Sequence, residues 1–130
     1  MKELLAPVSP GELLDKITIL RIKSARMTDA AKLVNVRHEL EALQRTWFEE
    51  IPQQPDLSAH EAALEAVNAR LWDIEDQIRD EERAARFGAR FIELARSVYI
   101  ENDERARIKK RINEALGSSI VEEKSYSKYR

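Results

Sequence analysis

Residues that interrupt helices are scarce in this chain of 130 residues, which contains three glycines and four prolines. Average usage would give about 12% glycine and proline together, roughly twice as much. A β-sandwich or β-barrel needs a turn about every 8–12 residues, and so few turn-forming residues cannot supply them. We therefore predict an all-α fold.

The composition indicates a folded protein with no general preference for polyanions. Hydrophobic residues make up 43% of the chain, enough to offset the conformational entropy that folding removes. The net charge of −2 argues against a general attraction to nucleic acid or acidic membranes, and no specific nucleic-acid partner is predicted. The longest uncharged run, residues 4–11, is far below the ~20 residues of a membrane span. A cytoplasmic location is therefore predicted.

The positions of the glycines and prolines organise the chain. We expect a single helical domain over residues 1–130, with an extended segment at 1–8 and a polar tail at 118–130. Helix one should begin after Ser9, because Ser9 and Glu12 form a capping box around a proline at the first helical position. It should end near residue 27.

The next two helices carry narrow apolar stripes. Asp29 should cap helix two, which ends near residue 50, and Ser58 with Glu61 should cap helix three. A short loop containing Pro52 and Pro55 joins the two. Strict spacings of three and four predict that they pair as an antiparallel hairpin with coiled-coil-like packing. The stripes are Leu33, Val36, Leu40, Leu43 and Trp47, then Leu64, Val67, Leu71, Ile74 and Ile78.

Helix four should run from near Gly88 to Leu116, with Gly117 as the residue after its C-cap. If helices three and four were continuous they would span about 87 Å, at ~1.5 Å per residue. A compact domain of this size, with a radius of gyration of about 14 Å, cannot contain such a helix. We therefore expect a break between Arg86 and Gly88.

Two helices carry polar residues where apolar ones would pack better. Helix one is apolar nearly all round, which predicts a central position, yet it contains Asp15 and Lys16. The main stripe of helix four includes Asn102, Arg105 and Lys109, beside Asp103. Burying an unpaired amide or charge costs several kcal/mol, so these groups need partners. Three interpretations stay open: a structural polar network, a small-molecule or anion site, and a partner surface.

Other sites are not predicted. The two histidines lack the Glu-x-x-His pattern of di-iron proteins, and no glycine-rich phosphate loop or nucleophile elbow is present. We therefore expect no metal, no cofactor and no identifiable catalytic residue. The basic run at residues 105–111 is interpreted as complementing the dipole at the end of helix four.

Two segments of the chain carry a resemblance. The first reads VSPGELLDKITIL, at residues 8–20, and the second runs from Val98 through an Asn102-Asp103 pair to EEKSY at residues 122–126. Together they resemble a small bacterial family of unknown function. The resemblance implies a recurring domain and transfers no mechanism. It also suggests a link to surface-sugar metabolism, since similar segments occur near or within proteins of surface-sugar assembly.

A second similarity is one of fold type alone. The small all-helical chorismate mutases have a similar size and hold a dicarboxylate with arginines and lysines from several helices. Arg26, Lys32, Arg105 and Lys109 would follow the same electrostatic logic. No motif matches residue by residue.

Two functional hypotheses follow. The first is a protein-interaction or assembly module, expected to form a homodimer because long amphipathic helices leave apolar stripes that a second copy can cover. The second is a small-molecule or anion-binding protein or enzyme. Its polar pocket would lie between the first and last helices and use Asp15, Lys16, Asn102, Asp103, Arg105 and Lys109. The two differ on whether helices one and four meet around an open cavity.

Overall fold

The predicted all-α class is confirmed by a computed structural model, which describes residues 1–53 and 55–130. Every regular element in the described part of the chain is a helix. Gln54, in the predicted loop between helices two and three, lies outside the described residues. The four helices are α1 (Pro10–Arg26), α2 (Ala30–Glu50), α3 (Ser58–Arg83) and α4 (Ala89–Ala115).

The predicted N-caps of α1 and α2 are confirmed. The Ser9 hydroxyl accepts a hydrogen bond from the Glu12 backbone N–H at 3.2 Å, and Pro10 is the first helical residue. The Asp29 carboxylate accepts from the Lys32 N–H at 3.1 Å. The side chain of Glu12 does not close the capping box, because its carboxylate is bound to Lys109 instead.

The predicted capping of α3 by Ser58 is wrong. Ser58 is the first residue of the helix, and Leu57 is the N-cap, without a side-chain hydrogen bond. Leu57 is buried in the core, so the chain turns into the helix one residue earlier than the polar pattern indicates. The carboxylate of Asp56 accepts from the Ser58 N–H at 3.0 Å and supplies a local substitute.

The four helices form two consecutive hairpins, α1–α2 and α3–α4, with α1 packed against the other three helices. This differs from the predicted pairing of helix two with helix three. No Cα atom of α2 lies within 8 Å of one of α3 in the described structure. The physical reason is the apolar surface on both sides of α1, which lets it lie between α2 and the α3–α4 hairpin.

The main core lies between α1, α3 and α4. Trp47 of α2 and Leu116 pack against its edge. The stripe predicted for helix four faces inward, and its polar members are buried or half-buried with the apolar ones. The residues of the core cluster are Leu14, Leu57, Leu64, Val67, Leu71, Ile108 and Ile112.

The predicted break between α3 and α4 is present, but Gly88 does not make the turn. Ala85 takes the left-handed conformation with φ 53°. The backbone N–H groups of Ala85 and Arg86 donate to the carbonyls of Glu82 and Glu81, which is a Schellman motif with alanine in the usual glycine position. Gly88 is the N-cap of α4 and has φ −87°.

The end of α4 follows the predicted pattern. Gly117 has φ +62°, and the N–H groups of Gly117 and Ser118 donate to the carbonyls of Glu114 and Asn113. This is a second Schellman motif, here with glycine in the left-handed position. Beyond it the tail runs without regular structure, and the Tyr129 hydroxyl donates to Asp103 at 2.8 Å.

The α3–α4 hairpin has two halves, and they differ in how far the other helices cover them. We call residues 58–71 and 102–115 its basal half, and residues 72–83 and 89–101 its distal half. Among the described residues, Leu94 is the one buried residue of the distal half. No hydrogen bond or ion pair within the described structure joins α1 or α2 to α3 beyond Asp73, or to α4 before Lys109. None of the described helices combines the length and apolarity needed to cross a bilayer.

Candidate functional site

Gly11 brings the start of α1 against α4. Its N–H donates to the Asn113 side-chain oxygen at 2.7 Å. A Cβ atom at this position would lie 2.6 Å from the Lys109 carbonyl oxygen and 2.9 Å from Asn113 Oδ1. Both distances are shorter than a carbon–oxygen contact allows, and the closer one is to a backbone atom that cannot move aside easily. Glycine is therefore required by the close approach of the two backbones, which places the first turn of α1 above the basal half of α4.

The Lys109 ammonium lies among three carboxylates. Its Nζ is 2.6 Å from Glu12, 3.1 Å from Glu122 of the tail and 3.9 Å from Asp15. Lys109 is 8% exposed and Asp15 is 5% exposed. A buried charge needs compensation of this kind, because leaving it unpaired costs several kcal/mol. Lys109 therefore has its partners within the chain.

The pKa shifts around Lys109 agree with this pairing. The hydrogen bond from Lys109 lowers the pKa of Glu12, and this outweighs the opposing effect of burial. Burial alone would lower the pKa of Lys109, but the hydrogen bonds to Glu12 and Glu122, with the nearby charge of Asp15, raise it overall. Both groups therefore stay charged across the neutral pH range.

Asp15 makes a second set of contacts with α3. The Asn68 amide donates one hydrogen to Asp15 Oδ1 at 2.9 Å and one to the Thr18 hydroxyl at 3.0 Å. The Thr18 hydroxyl in turn donates to the Asp15 backbone carbonyl at 2.8 Å. We call these residues, with Glu12, Lys109 and Asn113, the basal network.

The structure places the predicted site residues in three different environments. Asp15 and Lys109 meet, as the hypothesis of a contact between the first and last helices requires. Lys16 is half-exposed and lies 3.9 Å from Glu12 on the outer side. Asp103 faces the tail and accepts a hydrogen bond from Tyr129, which raises the pKa of that tyrosine.

Asn102 and Arg105 lie beside the basal network without joining it. Both are half-buried on α4. Within the described part of the chain, neither side chain has a hydrogen bond, and Arg105 has no carboxylate within 4.0 Å. The positive charge of Arg105 nevertheless contributes to the lowered pKa of Glu12. Lys109 and Arg105 are one helical turn apart, yet one is fully paired and the other is not.

Asn102 and Arg105 line an open cleft of about 500 Å³ where α1, α3 and α4 meet, at the junction of the two hairpin halves. We call this the junction cleft. Its apolar surface comes from α1 and α3, and Trp72 stands on one side with the Arg26 guanidinium 6.0 Å from the ring centre. On the rim, Arg79 is paired with Glu75 at 3.0 Å. The remaining lining residues are Ile19, Ile22, Asn68, Leu71 and Asp76.

A second cleft of about 430 Å³ lies on the other side of Asn102 and Arg105, between α4 and the tail. Glu122, Lys124 and Tyr126 of the tail form part of its wall. Tyr129 packs edge-on against Tyr99, with ring centres 4.9 Å apart. Because the tail lies over this side of α4, the junction cleft is the more open approach to Arg105.

The cationic set compared with the chorismate mutases does not assemble. Arg26 forms an ion pair with Asp73, and Lys109 is bound by carboxylates. Lys32 is exposed on α2, which contacts α1 and makes no close approach to α4. Arg105 is the one member of the four that lines the junction cleft.

Reasoning from the sequence missed Asn68, Trp72 and Asn113. Asn68 lies four residues after Leu64 and three before Leu71, so it interrupts the apolar stripe of α3 as Asn102 interrupts that of α4. That spacing was a usable signal. Gly11 gave no such signal, because its role depends on how closely another helix approaches.

Comparison with known proteins gives a family and no activity. A family model described as a family of unknown function, DUF6165, matches residues 4–129. No curated protein and no solved structure matches the chain. The expected membership in a family of unknown function is confirmed. The chain therefore belongs to the DUF6165 family of unknown function.

Proposed function

We propose that this protein binds a small organic anion in the junction cleft, with Arg105 as the principal anion-binding residue. The observation that supports this most strongly is the contrast between Arg105 and Lys109. Lys109 is neutralised by three carboxylates, whereas Arg105 has none within 4.0 Å among the described residues. A half-buried guanidinium without an intramolecular partner favours a carboxylate or phosphate from outside.

The form of the cleft supports a small molecule. Small-molecule sites are concave, about 300–1,000 Å³ in volume, and mostly apolar with a few polar groups that fix orientation. The junction cleft has about 500 Å³, buried apolar side chains of Ile22 and Leu71, an indole, and the amide of Asn102. Asp15 and Lys109 would support the wall and hold α1 in place, without contacting the ligand.

A thermal-shift screen of organic carboxylates, phosphate monoesters and sugar nucleotides tests the proposal. Sugar nucleotides are included because the resemblance suggests a link to surface-sugar metabolism. This link and the cytoplasmic location both stay predictions. A ligand at 100 times its Kd stabilises the folded state by about 2.7 kcal/mol. We expect stabilisation of the wild type and its loss in Arg105→Gln.

Arg111→Gln is the matched control, because Arg111 is an exposed arginine on the same helix outside the cleft. It should respond as the wild type does. If Arg105→Gln and Arg111→Gln respond equally to every compound that stabilises the wild type, the anion binds elsewhere and the proposal is wrong. The same holds if no compound stabilises the wild type.

A second candidate function is association with another protein or with a second copy of the chain, which is the first of the two hypotheses drawn from the sequence. The observation behind it is the distal end of the hairpin, where Phe87 in the turn before α4 and Ile92 in the distal half are each more than half exposed. Light scattering coupled to size-exclusion chromatography would measure a dimer mass for the wild type and a monomer mass for Ile92→Asn. Val34→Asn, an exposed position on α2, is the control. A monomer mass for the wild type contradicts self-association.

A further inference from the structure

Asn68 presents an unused hydrogen-bond acceptor to the junction cleft. Its side chain is 4% exposed, and both amide hydrogens are used by Asp15 and Thr18. Its Oδ1 atom has no hydrogen bond from the described residues. Every fully enclosed side-chain nitrogen or oxygen atom in the described structure has a partner. The Oδ1 atom is therefore accessible to the cleft that Asn68 lines.

The orientation of this amide is fixed by its neighbours. The Asp15 carboxylate accepts hydrogen bonds only. The Thr18 hydroxyl already donates to the Asp15 backbone carbonyl, so it accepts from Asn68. Exchanging the amide nitrogen and oxygen would lose both hydrogen bonds. The group facing the cleft is consequently a carbonyl oxygen that requires an N–H or O–H donor.

The acceptor lies near the proposed anion site. Asn68 and Arg105 both belong to the basal half of the hairpin, and the Arg70–Glu101 ion pair at its border with the distal half shows which residues of the antiparallel helices α3 and α4 are level. A ligand anion at Arg105 thus lies close to the height of Asn68 along the hairpin. Trp72 lies one turn further along α3, towards the distal end. The anion site and the acceptor therefore lie at similar heights along the cleft, and the aromatic wall lies beyond them.

We propose that the junction cleft takes an α-hydroxy or α-amino acid with an apolar body. The carboxylate binds Arg105 and the Asn102 amide, the α-substituent donates to Asn68 Oδ1, and the apolar body lies against Leu71 and Trp72. This proposal rests on the proposed function, because it names the ligand class of the same cleft. A carboxylate without a neighbouring donor would leave Asn68 Oδ1 desolvated and unpaired, which lowers affinity.

Three probes of nearly equal size test the proposal by NMR titration of the full-length protein: L-phenylalanine, L-3-phenyllactate and 3-phenylpropionate. The last lacks the α-donor. The chain has two tryptophans, so the indole N–H signal of Trp72 reports the cleft. Trp47, which packs on the opposite side of α1, serves as the internal control. We expect at least one α-substituted acid to shift Trp72 alone, with a Kd at least threefold below that of 3-phenylpropionate.

Equal affinities for all three acids, or no shift of Trp72 by any of them, would overturn the assigned ligand class. The proposed function fails separately, if no compound of the thermal-shift screen distinguishes Arg105→Gln from Arg111→Gln. Using ligand pairs avoids substituting Asn68, whose loss would disturb the basal network. Arg105→Gln should weaken the α-substituted acid and 3-phenylpropionate by similar factors, because both share the carboxylate. A change in their affinity ratio above threefold contradicts the assigned roles.

Discussion

The basal and distal halves of the α3–α4 hairpin consist of the same two helices but have different surroundings. In the basal half, α1 covers the hairpin, and the charged and amide side chains of the basal network are buried or half-buried with their partners. In the distal half, Leu94 is the one buried residue among those described, and the charged groups pair on the surface. The comparison shows that cover by α1 decides whether polar groups are satisfied inside the protein. At the junction, where α1 no longer covers the hairpin, Asn68 Oδ1, Asn102 and Arg105 have no hydrogen-bond or ion-pair partner among the described residues.

This difference in burial also explains why ion pairs in the two halves contribute differently to stability. Exposed pairs such as Arg83–Asp80 contribute about 0–1 kcal/mol, because water screens them. Removing one partner from a buried network is more costly, because the remaining charge stays buried without compensation.

Replacing Lys109 by methionine should lower the free energy of unfolding by about 3 kcal/mol, since it leaves Asp15 buried without its counter-charge. Urea denaturation measures the effect. Lys110→Met is the control, because Lys110 is the exposed neighbour on the same helix, and it should change stability by less than about 0.5 kcal/mol. Adding Asp15→Asn to Lys109→Met should recover part of the loss. Equal effects of the two single substitutions would contradict the role of the basal network.

Gly11→Ala should lower the free energy of unfolding by about 2 kcal/mol, because the added methyl group overlaps the backbone of α4. Thermal unfolding monitored by circular dichroism is a suitable measurement. Gly88→Ala is the matched control next to the distal half, where an added Cβ meets no atom of the described residues within 4 Å. It should cost less than about 1 kcal/mol, the size of an N-cap preference. A larger loss in the free energy of unfolding for Gly88→Ala than for Gly11→Ala would contradict the steric role assigned to Gly11.

Ala85→Gly should stabilise the protein by about 0.5–1 kcal/mol, because glycine adopts φ 53° without the steric strain of alanine. The increase should appear as a higher urea midpoint with an unchanged slope. Gly117→Ala makes the opposite change in the second Schellman motif and should destabilise by a similar amount. If both substitutions shift the midpoint in the same direction, backbone strain does not explain either effect.

The smallest expected effect is a dependence of stability on acid pH that Glu12 contributes. Its pKa is below the ordinary value of 4.5 in the folded protein, so its stabilisation is present above pH 4.5 and is lost as the pH falls through the folded-state pKa. Because Glu12 is partly exposed, screening keeps this contribution small. The slope of stability against pH below 4.5 should decrease in Glu12→Gln and not in Glu41→Gln, an exposed control on α2. An unchanged slope of stability against pH in Glu12→Gln would contradict the assignment of Glu12 to the basal network.

Much of the helical organisation could be predicted because it depends on local interactions. Ser9 and Asp29 cap helices through contacts three residues away, and Gly117 ends α4 through its own backbone conformation. Apolar residues at spacings of three and four fixed the inward faces. Ser58 and Ala85 departed from the local rules because their surroundings overrode them: the burial of Leu57 moved the helix start, and the hairpin placed an alanine at positive φ.

The sequence by itself determined that the chain forms four helices, that α1 is apolar on more than one side, and that α4 carries polar residues in its inward stripe. Only the tertiary structure decided that α1, and not α2, packs against α3, because stripe-to-stripe pairing depends on which surfaces exclude most water together. It also decided that Lys109 lies among three carboxylates while Arg105, one turn away, has none within 4.0 Å in the described part of the chain. That difference arises from Glu12, Asp15 and Glu122, which are remote in the chain and meet Lys109 only after folding.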